Sequence, residues 1–200
     1  MKLKITVIIP YKEDRGWLTD AIASVPNDVQ LLVSQGPGNW PANFNKVWDQ
    51  VRGDYVKYLH EDDMLTKESI ISSLRGFEDL PTVDFIHGNA IELHQSTGIQ
   101  IPWYPSIKYP TIDSMLHKNT IHSVTLMYRR SVFEKVGLFD ETLNTAEEYE
   151  FNLRCLKAGL KIGYVGTYLG IYRRHPAQKV RMVSVTAKDQ EREMVRNKYK

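Results

Sequence analysis

The chain has 200 residues, 42% apolar and 25% charged, with 26 Lys and Arg against 24 Asp and Glu and a net charge of +2. This length suits one sizeable globular core, the ordinary composition excludes a disordered, collagen-like or coiled-coil chain, and the near balance of charge excludes a dedicated nucleic-acid binder. Cys155 is the single cysteine, which excludes an intrachain disulfide and a cysteine-based zinc cluster.

In chain order, residues 3–10 read as a strand. The apolar run Ile5-Thr6-Val7-Ile8-Ile9 has the length and β-branched content of a strand buried on both faces, ended by Pro10. No signal-peptide h-region and cleavage site precede it, and no stretch approaches the roughly 18 apolar residues of a membrane span, so a cytoplasmic site of action is expected. Residues 17–25 read as a helix, with Trp17, Leu18, Ala21, Ile22 and Val25 forming a stripe that can cover a sheet. A strand is expected at 29–34. After the break at Gly36-Pro37-Gly38, Phe44, Val47, Trp48 and Val51 give a second helical stripe ending at Gly53. Strand 55–60, helix 67–77 and strand 83–87 follow. This alternation predicts an α/β fold with a mostly parallel central sheet flanked by helices.

The second half is less regular. Pro102, Pro105 and Pro110 punctuate a loop-rich stretch, 126–128 reads as a strand and 131–136 as a short helix. A helix over 145–158 stops at Gly159 and contains Cys155, which is therefore expected in the core. Short strands are expected at 162–165 and 169–172. From Lys179 onward the chain carries seven basic and three acidic residues. This tail reads as a peripheral helix or a linker stump, able to touch a membrane surface or to lead into further domains of the same polypeptide.

Ligands of open α/β sheets sit beyond the carboxyl ends of the strands. The run His60-Glu61-Asp62-Asp63 falls at such an end, where three consecutive acids repel one another unless solvated or neutralised by a cation. Asp and Glu oxygens suit Mg²⁺ or Mn²⁺. From these residues alone, Asp62 and Asp63 remain open to either metal binding or capping of the next helix.

Six segments in order resemble a family 2-like glycosyltransferase of the GT-A (Rossmann-like) fold. Val7-Ile8-Ile9-Pro10-Tyr11-Lys12-Glu13 resembles the family's opening strand and nucleotide-binding turn, and residues 45–55, starting at Asn45, the helix and turn before the metal strand. Leu59-His60-Glu61-Asp62-Asp63 falls on the Asp-X-Asp region. Met127 to Arg130 and Val136 to Glu141 resemble the segment before the catalytic helix. Glu147-Glu148-Tyr149-Glu150-Phe151 falls on the Glu-Asp motif, and Tyr172-Arg173-Arg174-His175 through Gln178 on the terminal segment.

The resemblance implies one domain over 1–178, with a nucleotide-binding half (1–98) and an acceptor and catalytic half (99–178), leaving 179–200 as tail. It implies a divalent cation, Mn²⁺ or Mg²⁺, and transfer with inversion from a nucleotide-diphosphate sugar to a glycan or other hydroxyl acceptor. A UDP-sugar is the first expectation, with GDP- and dTDP-sugars as others. Glu148 is the expected general base. Asp62, supported by Asp63, is the expected metal ligand, and His175 a third ligand or diphosphate contact. Pro10, Tyr11, Lys12, Glu13, Gln35, Asn45, Glu61, Asp62 and Arg173 are expected around the nucleotide, with Glu61 turned away from the metal. Trp103 and Tyr104 are candidates for an acceptor lid, and His122 for an acceptor-side residue.

The chain departs from the family in three places. Ser34-Gln35 stands where an Asp pair is usual, His60 where the first Asp of the metal motif is usual, and Glu148 where an Asp is usual. Ser34, Gln35 and His60 favour a catalytically weakened nucleotide- or carbohydrate-binding domain as the alternative, while Glu148 keeps the carboxylate chemistry. A sugar nucleotidyltransferase is disfavoured, since residues 10–16 lack a Gly-rich, Arg-containing loop.

Overall fold

The computed structural model describes residues 4–200. Leu3, read as the head of the first strand, lies outside them. In chain order the elements are β1 (Ile5–Tyr11), α1 (Leu18–Ala23), β2 (Gln30–Gln35), α2 (Trp40–Asn45), β3 (Tyr55–Tyr58), β4 (Met64–Leu65), α3 (Ser69–Asp79), β5 (Phe85–His94) and β6 (Gln100–Trp103). Then come α4 (Ile112–His117), β7 (Met127–Arg129), α5 (Arg130–Val136), α6 (Glu147–Lys157), β8 (Ile162–Arg174), α7 (Lys179–Met182) and α8 (Val185–Tyr199). No helix among the described residues is long and apolar enough to cross a membrane.

One sheet runs β2-β1-β3-β7-β5-β8-β4, with β6 beside the distal half of β5. Parallel pairing of β1 with β2 and β3 and of β5 with β8, joined through antiparallel β7, makes β1, β2, β3, β5 and β8 run one way. The expected mostly parallel α/β sheet is therefore present. Pro10 does not end β1. Ile8 O accepts the Leu59 N–H, so the neighbouring edge at residue 10 faces the side where β3 has already left, and the missing proline donor costs no ladder bond.

Other sequence-predicted elements change too: the strand read at 83–87 is β5, which runs on to His94, and β4 has no counterpart among the expected strands. Instead of a helix through Val51, α2 begins at Trp40 and stops at Asn45, followed by a 3₁₀ turn at Trp48–Gln50. Asn39 caps it by accepting the Ala42 N–H at 3.1 Å, and Pro41 sits in its first turn. The two short strands read at 162–172 are one irregular strand, β8, whose register against β5 shifts around Asn89. Its glycines look like a break in sequence, but the long β5 edge carries the pairing through them. Strand β6 and helix α4 arise inside the proline-punctuated stretch read as loop.

Two cores lie on opposite faces of the sheet, and β1 feeds both: Ile8 packs into one, Ile5, Val7 and Ile9 into the other. The first is aromatic, with Phe44, Tyr58, Tyr128, Phe133, Phe139 and Phe151 at its centre, and it takes in Cys155. It also takes in Val195 and Tyr199 of α8, so the basic tail docks on the domain through its apolar side. Two glycines are fixed by geometry. A Cβ at Gly53 would lie 2.5 Å from the Thr6 nitrogen, and Gly159 ends α6 at φ +76°.

Lys57 is buried within β3, its Nζ donating to the Val124 and Leu126 carbonyls at 2.8 and 3.1 Å. Burial disfavours the ammonium and lowers its pKa from 10.5 to about 7. Between these values the unfolded chain holds the proton and the folded chain does not, so stability gains with rising pH across that window. Wild type measured against Lys57→Met by urea unfolding is expected to gain up to about 1.4 kcal/mol per pH unit from about pH 7 towards 10.

Candidate active site

The carboxyl ends of β1 and β3, the start of α6 and the segment after β8 meet around a cleft of about 480 Å³. Its wall includes Pro10, Tyr11 and Lys12 from the end of β1 and the whole run His60 to Asp63 beyond β3. Glu147 and Glu148 from the first turn of α6 complete the opposite side, with Tyr172 and Lys179. Buried strand runs place the backbone, and the polar residues begin where the apolar ones stop.

His60 Nε2 lies 2.9 Å from Glu148 Oε1 across the cleft. Burial works against charging His60, but its hydrogen bond to Glu148 and the charges of Glu148, Asp63 and Asp62 outweigh it and raise its pKa to about 10. For Glu148 burial pushes upward, and the hydrogen bond and charge of His60 reverse the sign and hold the carboxyl below its ordinary range. At neutral pH the two form an imidazolium–carboxylate pair.

The acidic run is fastened from behind. Asp63, 1% exposed, accepts the Arg173 backbone N–H at 2.9 Å through Oδ1, while its Oδ2 is buried without a partner. Burial first, then the charge of Asp62, pushes the Asp63 carboxyl well up. Asp62 Oδ2 meets His175 Nε2 at 3.0 Å, and the His175 ring packs on Trp17 with centroids 4.0 Å apart. The Arg173 guanidinium donates to the Asp62 carbonyl and to Asp20, both at 2.9 Å, and to the Gln95 amide oxygen. Gln178 donates to the Arg173 carbonyl at 2.8 Å and locks the same turn.

Of the residues expected from sequence, Pro10, Tyr11, Lys12, Glu61, Asp62, Asp63 and Glu148 line this cleft. Glu61 belongs to this lining, and its pKa is raised by burial and by Asp62. Arg173 and His175 lie behind the acidic run, buried, because the turn's carbonyl and carboxylate take their donors. Glu13 and Gln35 are exposed and outside the lining, with the Gln35 amide 3.4 Å from the Lys12 carbonyl. Asn45 is also outside: its amide donates to Phe139 O at 2.9 Å and Glu141 Oε1 at 2.8 Å, tying α2 to the segment before α6. On the acceptor side, His122 packs against Trp103 and Tyr172, while Tyr104 is exposed with its hydroxyl on Tyr168.

Sequence reading missed several wall residues. Arg15, which donates to Ala177 O at 2.9 Å, belongs to a loop without periodicity. Lys179, bonded to Glu147 at 2.6 Å, sits in the segment read as tail. Only its position one residue past the family's terminal segment could have signalled it. Glu147 itself is buried, and burial with the charge of Glu148 raises its pKa against the pull of Lys179.

Among the described residues no group of three or more His, Cys, Asp and Glu side chains is arranged to hold a metal. Two carboxylates nevertheless fit a hard divalent ion. Asp62 faces the cleft beside Asp63, whose buried Oδ2 lacks a partner, and Mg²⁺ or Mn²⁺ commonly takes one or two carboxylates with waters and phosphate oxygens. A second hollow, at the opposite end of the strands between Lys4, Tyr55 and Arg130, holds none of the expected site residues.

The architecture is of the GT-A type, a curled, mostly parallel sheet with its cleft at the carboxyl ends. It is shared with TarS of S. aureus. TarS 1–349 in complex with UDP-GlcNAc matches with a TM-score of 0.71 and 16% identity, over 96% of this chain and 65% of that one. The same protein in complex with UDP matches with a TM-score of 0.65 and 17% identity, over 87% of this chain and 61% of that one. A further TarS structure gives 0.65 and 17%, over 94% and 42%. The chain thus spans less than two thirds of each of these structures. No protein-family model matches the sequence, and no curated protein matches it.

Proposed function

We propose that this chain is a nucleotide-sugar-dependent glycosyltransferase that transfers a sugar to a hydroxyl acceptor with inversion. The observation that carries this reading is the meeting of Asp62 and Asp63 with the His60–Glu148 pair around one cleft, in a fold shared with a protein whose structures hold UDP-GlcNAc and UDP.

In this reading the nucleotide lies over Pro10, Tyr11 and Lys12 and its diphosphate near Asp62. A bound Mn²⁺ or Mg²⁺, held by Asp62 and Asp63, would act as a Lewis acid on the departing diphosphate. His175 orients Asp62 from behind. Lys12 and Lys179 supply further positive charge at the cleft wall. Glu148 takes the proton of the acceptor hydroxyl as that oxygen attacks the anomeric carbon from the face opposite the diphosphate. Its partner His60 keeps it ionised where burial alone would protonate it. His60 at a position where the family usually has a carboxylate therefore removes one negative charge from the cleft and supports the base.

Calorimetric titration of UDP and GDP, each with and without Mn²⁺, tests the donor side. UDP is expected to bind more tightly with Mn²⁺, and Asp62→Ala to abolish that gain. UDP affinity indifferent to the metal in wild type would remove the cation from the scheme.

A further inference from the structure

Helix α6 carries Glu147 and Glu148 in its first turn, yet its N-cap residue is Ala146, which has no side chain able to cap. A helix start without a side-chain cap relies on the segment leading into it to keep its first turn in place. That segment, residues 144–146, is held by an acceptor 47 residues beyond Asn144. Glu191, on α8, accepts the Asn144 N–H at 2.8 Å through Oε1, and the Thr145 N–H and hydroxyl at 2.6 Å through Oε2. Its carboxylate also interacts with the backbone at Ala146.

Two further ties join the same helices. Glu150, one turn into α6 and 1% exposed, is bonded to Lys198 at 2.9 Å and to the Tyr199 hydroxyl. Val195 and Tyr199 anchor α8 in the aromatic core. Asn144 and Thr145 themselves line the cleft, so the clamp touches its wall directly.

We propose that Glu191 is a positioning residue for the active site: from the C-terminal helix it ties down the 144–146 segment that leads into α6 and thereby fixes Glu148 at the cleft. This rests on the glycosyltransferase reading for its catalytic consequence, but the tie itself does not. The C-terminal helix is in this view a working part of the site.

The test compares wild type with Glu191→Gln, which loses the charge and one acceptor oxygen. Glu193→Gln on the same helix is the control, since Glu193 is exposed and pairs with Arg196 and Lys200 of its own helix and terminus. Amide hydrogen exchange at residues 144–146 is expected to be about tenfold faster in Glu191→Gln and unchanged in Glu193→Gln. Turnover of UDP-GlcNAc should fall about tenfold in kcat with KM and UDP affinity retained, because the carboxylate base is displaced while the donor wall stays in place. Glu191→Asp, charged but shorter, should show the same pattern to a smaller degree. If exchange at 144–146 is unchanged in Glu191→Gln, the tie is refuted. Faster exchange with wild-type kcat refutes the positioning of chemistry. A wild-type chain without turnover sinks the functional reading and that catalytic consequence, and the exchange rates then decide the tie alone.

Discussion

Glu148→Gln is expected to lower sugar transfer by about 10²–10⁴-fold, the usual contribution of a positioned general base, while leaving UDP affinity unchanged. The pairing with His60 explains why the two effects should separate. In wild type the imidazolium and carboxylate cancel; in the variant a neutral amide leaves the imidazole without its principal stabilising charge, so both members become neutral. Net charge at the cleft is conserved and the 2.9 Å contact can persist as an imidazole N–H to amide oxygen bond. What disappears is the proton acceptor. Donor turnover and UDP titration on the same preparation measure both quantities. A variant as fast as wild type would remove Glu148 from the chemistry and favour a binding domain.

The adjacent arginines of β8 should behave very differently. Arg173→Ala is expected to cost about 1–3 kcal/mol of stability, because it leaves the half-buried Asp62 carbonyl without its donor. The Arg173 side chain is 5% exposed and donates to the Asp62 carbonyl, Gln95 and Asp20. The Asp20 side chain is 55% exposed and Gln95 is exposed too, so those contacts contribute little and the bond to the Asp62 carbonyl carries most of the loss. Arg174 reaches Glu92 from a side chain that is 37% exposed, and Arg174→Ala should cost no more than about 1 kcal/mol. Urea unfolding of the two variants separates an arginine that holds the acidic turn from one that does not. If Arg173→Ala unfolds like wild type, the turn does not depend on it.

The parts of this fold legible in the sequence are those whose environment is uniform along the chain. The run Ile5 to Ile9 is apolar because β1 is an interior strand, flanked by β2 and β3 and covered on both faces, and the break from apolar to acidic at Leu59-His60 marks the strand end where the cleft begins. The first turn of α6 is legible for a related reason, since two acids precede the buried Phe151 and Leu153. Harder features depend on partners remote in sequence. Nothing local distinguishes Arg173, turned inward on Asp62 and Gln95, from Arg174 at the rim. His60 reads as a departure from a metal motif until Glu148, 88 residues on, is seen beside it. Asn45 occupies a family-like position, but its amide is spent on Phe139 and Glu141. The C-terminal helix looks like a charged tail because Val195 and Tyr199 are its buried residues among those described, while Glu191 holds the segment before α6, and Lys179 of α7 holds Glu147, through polar contacts.

In the proposed function the cleft between β1, β3 and α6 receives a nucleoside diphosphate. Amide chemical-shift mapping on the isotope-labelled chain during UDP titration with Mn²⁺ locates the site directly. Shifts are expected at Tyr11, Lys12, Glu61, Asp62 and Lys179, with little change at Asn45. Shifts confined to the opposite hollow around Lys4 and Arg130, or none at saturating UDP, would contradict it.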